Sequence, residues 1–383
     1  MESIWLSRSG TVMVLALFIL QCAGHQTSAQ QYPSRQITFI VAFAPGGVAD
    51  TLTRLIGKGL GERLQQPVVV ENRGGAGGNI AAEVVAHANP DGYTLLATTT
   101  ALAINQTLFV NKPFSASDFR TVAIVASSPE ALVTSPTNPA YDLPTFMKVI
   151  NRRTINLAIP GVGTGSHVVA EYFFKKLANV PVQPIPFQGG APAINATIAG
   201  QVDLMATTLG GGAAAQIDGG KLKGIAIAAE KRATVTPNIK TYAEQGYPGF
   251  TAASWVGLFA STKTDPAILA KLNATVKKVI NDPIVRKTLL SIGFDPIYQS
   301  PSEADAYFES EVAKWGGWSK SWGCRSIDIR TDRGLTRSLI PFSRRDQRAD
   351  GGLLGRYALC VTARFSGECP PWVKSGHLSF NNG

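Results

Sequence analysis

The chain has 383 residues, 45% of them apolar, and a formal charge of +10. At roughly 150 residues per domain this length suggests two domains, and the composition is that of a globular protein rather than a disordered one. The apolar run at residues 11–20 is shorter than the roughly 20 residues that a membrane-spanning helix needs, so a multi-span transporter is excluded.

The two ends of the chain differ from its middle. Residues 1–29 have the pattern of a cleaved secretory signal, with Arg8 before the apolar run and small residues at Thr27-Ser28-Ala29. This pattern predicts export to the periplasm. Lipid attachment at Cys22 is the alternative, although Gln21 stands where a small residue is expected.

Residues 319–383 form an atypical tail with 11 basic and 5 acidic side chains and three of the four cysteines. It shows no sustained helical or strand period. A basic arm for nucleic acid or anionic lipid is one interpretation. The tail lacks interleaved aromatic residues and any binding motif, so we favour a disordered or non-native extension and expect no nucleic-acid partner.

The segment 30–318 contains no cysteine, and its two histidines are His87 and His167. Cysteine nucleophiles, cysteine-ligated zinc and disulfides are therefore excluded from it. Neither histidine has a second candidate ligand nearby in sequence. We expect no metal and no cofactor.

Apolar runs alternate with glycine turns and amphipathic stretches, which favours an α/β fold with mainly parallel strands. The predicted elements, in chain order, are a strand over 37–43, a helix over 50–64, a strand over 68–71, a helix over 79–87, a strand over 93–98, a crossover strand over 124–134, a strand over 156–159, a helix over 166–177, a strand over 183–186 and a second crossover strand over 254–261. Two crossover strands predict two hinged lobes. Lobe one would be 30–127 plus 250–318, and lobe two 128–249.

Three glycine-rich turns run into predicted helices, at 45–50, 74–79 and 161–167. The first N–H groups of a helix lack intrahelical partners and lie at the positive end of its dipole, so each turn can bind an anion. Taken singly, such glycines often do no more than permit a tight turn. Three of them at equivalent helix starts, drawn from both lobes, favour a carboxylate site.

Polar side chains near these turns could complete the site: Thr98, Thr99, Thr100, Asn105, Thr164, Ser166 and Thr207. Arg73 is the arginine within these loops, so a carboxylate would depend on N–H donors, hydroxyls and water. Asp50 has two interpretations. It either complements the start of its helix or accepts a hydrogen bond from the ligand.

Recognised catalytic motifs are missing. The run Gly161–Ser166 matches the dinucleotide fingerprint poorly, and no Gly-Lys-Ser/Thr phosphate loop or Gly-x-Ser-x-Gly elbow is present. An α/β enzyme that binds a nucleotide cofactor at the glycine turns remains the alternative to a non-catalytic binding protein.

Several motifs in order along residues 30–316 carry a resemblance to a known family. They are Tyr32-Pro33, Phe43-Ala44-Pro45-Gly46-Gly47 with Asp50, Glu71-Asn72-Arg73, Gly75-Ala76-Gly77-Gly78-Asn79, Pro90-Asp91-Gly92-Tyr93-Thr94-Leu95, Phe187-Gln188-Gly189-Gly190-Ala191-Pro192-Ala193, Gly200-Gln201-Val202-Asp203-Leu204-Met205 and Ala243-Glu244-Gln245-Gly246. Together they resemble the periplasmic solute receptors of tripartite tricarboxylate transporters, also called Bug proteins.

The resemblance implies a two-lobed type II periplasmic binding protein fold that closes around a small mono- or dicarboxylate. The ligand would pass to membrane permease subunits, and the receptor would be a monomer. The positions that match the family's pocket are Phe43, Pro45, Gly46, Gly47, Asp50, Gly77, Gly78, Asn79, Thr98, Thr99, Thr100, Gly163, Thr164, Gly165, Ser166, His167 and Thr207. Asn105, one of the polar residues near the glycine turns, is added to these predicted site residues.

Two departures from the family stand out. Val48 replaces a hydroxyl residue found in many relatives, which suggests a pocket suited to a less polar acid. Relatives also end soon after the helix containing Lys314-Trp315-Gly316, often through Val-Val-Lys, where this chain has Trp318-Ser319-Lys320 and continues. A one-base shift converts codons for the first sequence into codons for the second, so we interpret the tail as the product of a frameshift near codon 316.

Overall fold

The computed structural model describes residues 32–321 together with residues 327 and 328, and side chains as far as residue 318. The predicted signal segment, Cys22 and all but five residues of the atypical tail lie outside the described residues. Within the described part, none of the helices is both long and apolar enough to cross a membrane.

The first part of the chain forms one half of the sheet. Its elements are β1 (Ile37–Val41), α1 (Val48–Leu64), β2 (Val68–Asn72), α2 (Asn79–Ala86), β3 (Thr94–Thr99), α3 (Ala101–Leu108), β4 (Phe109–Val110) and β5 (Phe119–Thr134). Strands β2, β1 and β3 lie side by side in that order and are parallel. Their carboxyl ends therefore share one edge of the sheet, where the turns before α1 and α2 emerge.

The middle of the chain repeats this arrangement. Its elements are α4 (Leu143–Ile150), β6 (Ile155–Ile159), α5 (Gly165–Tyr172), β7 (Val182–Pro186), α6 (Gly190–Ile198), β8 (Leu204–Thr208), α7 (Ala213–Asp218) and β9 (Lys223–Ile227). Strands β8, β6 and β7 are parallel neighbours. The turns before α5 and α6 again follow the carboxyl ends of strands.

The last described part contains β10 (Ala253–Ser261), α8 (Pro266–Ile280), α9 (Pro283–Ser291), β11 (Asp295–Pro296), α10 (Pro301–Ser321) and β12 (Ile327–Asp328). The short β12 pairs in parallel with β4. Within α10, the Trp318 ring stacks on Tyr172 with centroids 4.8 Å apart. The start of the predicted tail thus continues a helix of the folded protein.

Strands β5 and β10 join the two groups of parallel strands. The first part of β5 pairs antiparallel with β10, and its last residues pair antiparallel with β8 and β9. β10 in turn pairs with β3. The sheet therefore contains parallel strands on either side of two antiparallel connecting strands, and β5 begins five residues before the predicted crossover strand.

The predicted strands and helices are otherwise present with small shifts at their ends. The predicted helix over 166–177 divides into α5 and a π-helical turn, Phe173–Leu177. Phe173 and Phe174 in that turn are fully buried and pack on each other with centroids 5.0 Å apart. A period of 3.6 residues cannot distinguish such a turn from continued α-helix.

Candidate functional site

A cavity of about 70 Å³ lies where the two groups of strands meet. Residues from both sides line it: Phe43, Gly47, Val48, Ala49, Thr99, Ser254 and Trp255 from one, and Pro160, Thr164, Gly165, Ser166, Gly189, Gly190, Thr207, Thr208 and Gly211 from the other. Backbone, hydroxyl and apolar groups dominate this lining. No Lys, Arg, Asp or Glu is among these residues.

Three helices begin at the cavity. The first residues of α1, α5 and α6 line it, and the N-caps of α1 and α6 are Gly47 and Gly189, which provide no side-chain cap. The free N–H groups of those first turns are hydrogen-bond donors, and the helix dipoles add positive potential. The arrangement suits an anion held between the two halves.

Seven of the residues predicted for the site line this cavity: Phe43, Gly47, Thr99, Thr164, Gly165, Ser166 and Thr207. Thr164 also caps α5, because its Oγ1 accepts a hydrogen bond from the His167 N–H at 3.3 Å. The remaining predicted residues lie outside the lining: Pro45, Gly46, Asp50, Gly77, Gly78, Asn79, Thr98, Thr100, Asn105, Gly163 and His167.

Asp50 supports the first glycine turn from behind. Its carboxylate accepts hydrogen bonds from the Gly46 N–H at 2.9 Å, from Arg54 Nε at 3.0 Å and from Asn72 Nδ2 at 2.9 Å. Burial raises the pKa of this carboxyl, but the hydrogen bonds from Arg54, Gly46 and Asn72 outweigh that effect and hold it below the ordinary value. Of the two interpretations of Asp50, the structure favours the one in which it organises the start of α1.

The second glycine turn contacts the opposite half without lining the cavity. Asn105 Nδ2 donates to the Gly77 carbonyl at 2.8 Å and to Asn79 Oδ1 at 3.3 Å, which anchors the turn to α3. Gly77 approaches Val162 so closely that a Cβ on it would be 2.6 Å from the Val162 carbonyl oxygen. This turn therefore serves as a contact between the halves.

Thr98 and Thr100 position β10. Thr98 lies opposite Gly257 in the pairing of β3 with β10. The Thr100 Oγ1 accepts a hydrogen bond from the Trp255 N–H at 3.0 Å. Because Trp255 lines the cavity, Thr100 orients a lining residue without reaching the cavity itself.

His167 is buried beneath the third glycine turn. Its Nδ1 accepts from the Gly163 N–H at 3.3 Å, and its Nε2 lies 3.4 Å from Glu171 Oε2. Burial lowers the pKa of His167, partly offset by Glu171. A neutral ring whose Nδ1 accepts and whose Nε2 donates fits both contacts, so His167 holds the turn in place.

Glu130, a buried acid in β5, was not predicted from the sequence. It is 3% exposed, Ser166 Oγ donates to its Oε2 at 2.7 Å, and Ser254 Oγ donates to its Oε1. Burial raises the pKa of Glu130 to about 7, against the opposing effect of the two serine hydrogen bonds. A single acidic residue in an apolar run carries no motif, so the sequence offered no signal for it.

Other missed residues did carry a signal. Gly189 and Gly190 lie at the start of α6 in the same glycine-to-helix pattern that indicated the other turns, and Gly211 lies in a similar turn after β8. Gly211 contacts Val48 on the opposite side of the cavity. A Cβ built on Gly211 would lie 2.1 Å from Val48 Cγ2. Val48, noted as a departure from the family, thus lines the cavity directly.

A larger cleft of about 1130 Å³ lies elsewhere on the molecule. β5 contributes Ser127 and Pro129 to it, and Lys231, Arg232, Arg286, Lys287 and Lys314 are among its other lining residues. None of the glycine turns predicted from sequence lines this cleft. Its cations make it the competing place for an acid to bind. Among the described residues, no group of three or more His, Cys, Asp or Glu side chains is arranged to hold a metal ion.

Two α/β halves, joined by shared strands and enclosing a cavity, define the two-lobed class of periplasmic binding proteins. Three solved structures share this fold. BugD, a periplasmic binding protein, has a TM-score of 0.73 and 29% identity, with 78% of this chain and 100% of that chain covered. MatC from Rhodopseudomonas palustris with bound malate has a TM-score of 0.71 and 34% identity, with 75% of this chain and 99% of that chain covered. Rpa4515 from R. palustris with adipate has a TM-score of 0.73 and 29% identity, with 76% of this chain and 98% of that chain covered.

Sequence comparison gives the family. Residues 52–323 match the tripartite tricarboxylate transporter family receptor. BugT of Bordetella pertussis is 31% identical over 322 residues, which cover 82% of this chain and 97% of BugT. The chain belongs to the tripartite tricarboxylate transporter receptor family, as the sequence motifs predicted.

Proposed function

We propose that this protein is a periplasmic receptor that captures a small organic carboxylate between its two lobes and delivers it to the membrane permease of a tripartite transporter. The observation that carries the proposal is the meeting of the first turns of α1, α5 and α6 at one cavity. Similar structures are described with malate and with adipate. The ligand class therefore agrees with the local physics of the site.

Backbone donors are suited to this task. A carboxylate oxygen accepts hydrogen bonds from N–H groups and hydroxyls, and preorganised donors at a helix start need no counter-ion. Phe43, Val48 and Trp255 add apolar surface to the same cavity. This combination favours an acid with a hydrocarbon portion, as the replacement of a hydroxyl residue by Val48 suggests.

Capture without chemical change is the expected outcome of binding. The cavity lining contains no His, Cys, Lys, Asp or Glu that could act as a nucleophile or general base. Among the predicted site residues, the two titratable ones, Asp50 and His167, are occupied by structural hydrogen bonds. The carboxylates in similar structures favour a receptor over the alternative, a nucleotide-dependent enzyme.

Location and assembly follow from the signal segment and the two-lobed fold. Export would follow cleavage of the signal after Ala29, and the receptor would act as a monomer. The division into lobes 30–127 plus 250–318 and 128–249 is supported by β5 and β10, which connect the two groups of parallel strands. The lobes would close by bending near residues 127–130 and 249–253.

A thermal-shift screen of purified protein tests the proposed function. Malate, adipate and related acids are compared with NAD, ATP and duplex DNA. A receptor gains about 2.7 kcal/mol of stability at one hundred times the dissociation constant of its ligand, so an acid should raise the melting temperature while the nucleotides and DNA do not. A response to NAD or ATP alone would favour the enzyme alternative.

A further inference from the structure

Glu130 lies between the two lobes and contacts a serine from each. Ser166 belongs to α5 in lobe two and Ser254 to β10 in lobe one, and both serines line the cavity. The Glu130 N–H donates to the Ala252 carbonyl at 2.9 Å, and its carbonyl accepts from the Ala228 N–H at 2.8 Å. The backbone of Glu130 is therefore fixed by hydrogen bonds to residues 252 and 228, and its side chain by the two serine hydroxyls.

The two hydroxyl hydrogens point at Glu130. Ser166 Oγ and Ser254 Oγ each donate to one of its carboxylate oxygens. A serine hydroxyl has one hydrogen, so both serines present only lone pairs to the cavity while Glu130 is ionised. A carboxylate, which also offers only lone pairs, cannot form a hydrogen bond with either serine in that state.

We propose that Glu130 takes up one proton from solvent when an organic acid binds, so that Ser166 or Ser254 turns its hydroxyl hydrogen toward the ligand carboxylate. The proton sits on a carboxylate oxygen of Glu130, which then donates to one serine oxygen. That serine becomes a donor to the ligand. The receptor thus captures its acid together with a proton, and two buried negative charges never face each other across the cavity.

The surroundings of Glu130 are consistent with this exchange. Burial already raises its pKa to about 7, and a bound anion raises the pKa of a neighbouring acid further. The titratable groups on the elements packed around it are Tyr242 after β9, His167 and Glu171 on α5, and Glu311, which accepts from Trp255 Nε1 at 3.0 Å. Glu171 contacts His167 and Lys175. Among the described ion pairs, none includes Glu130.

The inference rests on the proposed function and has its own readout. Calorimetric titration with malate and with adipate, in two buffers of different ionisation enthalpy, counts the protons taken up. At about pH 8 both acids are fully ionised, because carboxyl groups titrate well below that pH. At about pH 8 we expect close to one proton per ligand, and affinity should fall by up to about tenfold per unit above about pH 7. Below that pH Glu130 already carries its proton, and affinity should level off.

Glu130→Gln supplies the matched variant. Its amide accepts from one serine and donates to the other, as a protonated Glu130 would. We expect no proton uptake and an affinity that stays within about twofold from pH 6 to pH 9, close to that of the wild type at low pH. Retention of the wild-type slope in this variant would overturn the inference.

Glu171→Gln controls for His167. Removing Glu171 makes His167 harder to protonate. Proton uptake that persists in this variant therefore comes from a group other than His167 and supports Glu130. Loss of proton uptake would assign the proton to His167 and overturn the inference. The proton uptake of Glu171→Gln, compared with that of the wild type, tests the inference even if Glu130→Gln does not fold. Binding with no proton uptake refutes the inference alone, whereas failure of every carboxylate to bind at any pH refutes the proposed function as well.

Discussion

Gly211 and Val48 touch across the cavity from opposite halves of the molecule. Gly211 has φ +69°, and a Cβ on it would lie 2.1 Å from Val48 Cγ2. Both features exclude a side chain at this position: the left-handed backbone favours glycine, and the contact leaves no room. The approach of the two halves therefore depends on Gly211.

Gly211→Ala should weaken ligand binding because its methyl group prevents the halves from approaching. Overpacking of this kind costs about 1–3 kcal/mol, so titration calorimetry with the tighter of malate and adipate should show at least about a fivefold loss of affinity. Adding Val48→Ala should restore part of it. Gly317→Ala is the control, because no atom lies within 4 Å of a Cβ built there. Equal affinity of the Gly211 and Gly317 variants would show that the contact is unimportant.

Val48→Thr tests the effect of an apolar residue at this position. The substitution keeps the shape of the side chain and adds a hydroxyl to the cavity lining. A hydrogen bond is worth about 1 kcal/mol, so the affinity for malate, which has a hydroxyl, should rise about fivefold relative to succinate, which lacks it. An unchanged ratio in parallel titrations would mean that Val48 does not select the ligand.

Asp50→Asn should reduce stability more than binding. The substitution removes the charge that accepts hydrogen bonds from Gly46, Arg54 and Asn72, and loss of such buried partners costs about 1–3 kcal/mol. Urea unfolding at neutral pH measures this cost. Because the pKa of Asp50 lies below its ordinary value, the stabilisation is present above that value and is lost as pH falls through the lowered pKa.

The difference between wild type and Asp50→Asn should therefore shrink toward acid pH. Glu71→Gln is the comparison variant, since Glu71 pairs with Arg73 on the surface at 3.1 Å, with half-exposed side chains. Exposed pairs contribute about 0–1 kcal/mol. Equal destabilisation by the two substitutions would contradict the role given to Asp50.

Glu130→Gln should stabilise the ligand-free protein at alkaline pH. A pKa raised from 4.5 to about 7 means that the folded state binds the proton more tightly than the unfolded chain. Stability contributed by this proton is present below pH 4.5 and is lost as pH rises through 7, by a total of about 3 kcal/mol. Unfolding curves at about pH 5 and pH 8 should show that the free energy of unfolding of the variant, relative to that of the wild type, is larger at the higher pH. A constant difference would argue against a raised pKa.

Local patterns predicted most of this fold. The glycine turns identified the starts of α1 and α5, because a helix start after a buried strand is a feature of adjacent residues. The role of Asp50 could not be decided this way. Gly46 and Arg54 lie four residues from it along the chain, but its third partner, Asn72, reaches it only after β2 pairs with β1. Asn79 and Asn105 were predicted to line the pocket, but they bond to each other within the first half, where Asn105 also holds the Gly77 turn that contacts the other half.

Glu130 shows the limit of sequence reasoning most clearly. Its function depends on two serines that lie 36 and 124 residues away along the chain. Nothing near residue 130 marks the acid as buried or as paired with hydroxyls. By contrast, the turn before α6 could have been found, because Gly189-Gly190 repeats the pattern that identified the others.

A crystal structure with bound malate or adipate tests the central claim most directly. We predict that a ligand carboxylate lies within hydrogen-bond distance of backbone N–H groups at the starts of α1 and of α5 or α6, with both lobes in contact with it. A carboxylate seated instead beside Arg286 and Lys231 in the larger cleft would contradict the account, because the acid would then be held by side-chain cations rather than by the helix starts of two closing halves.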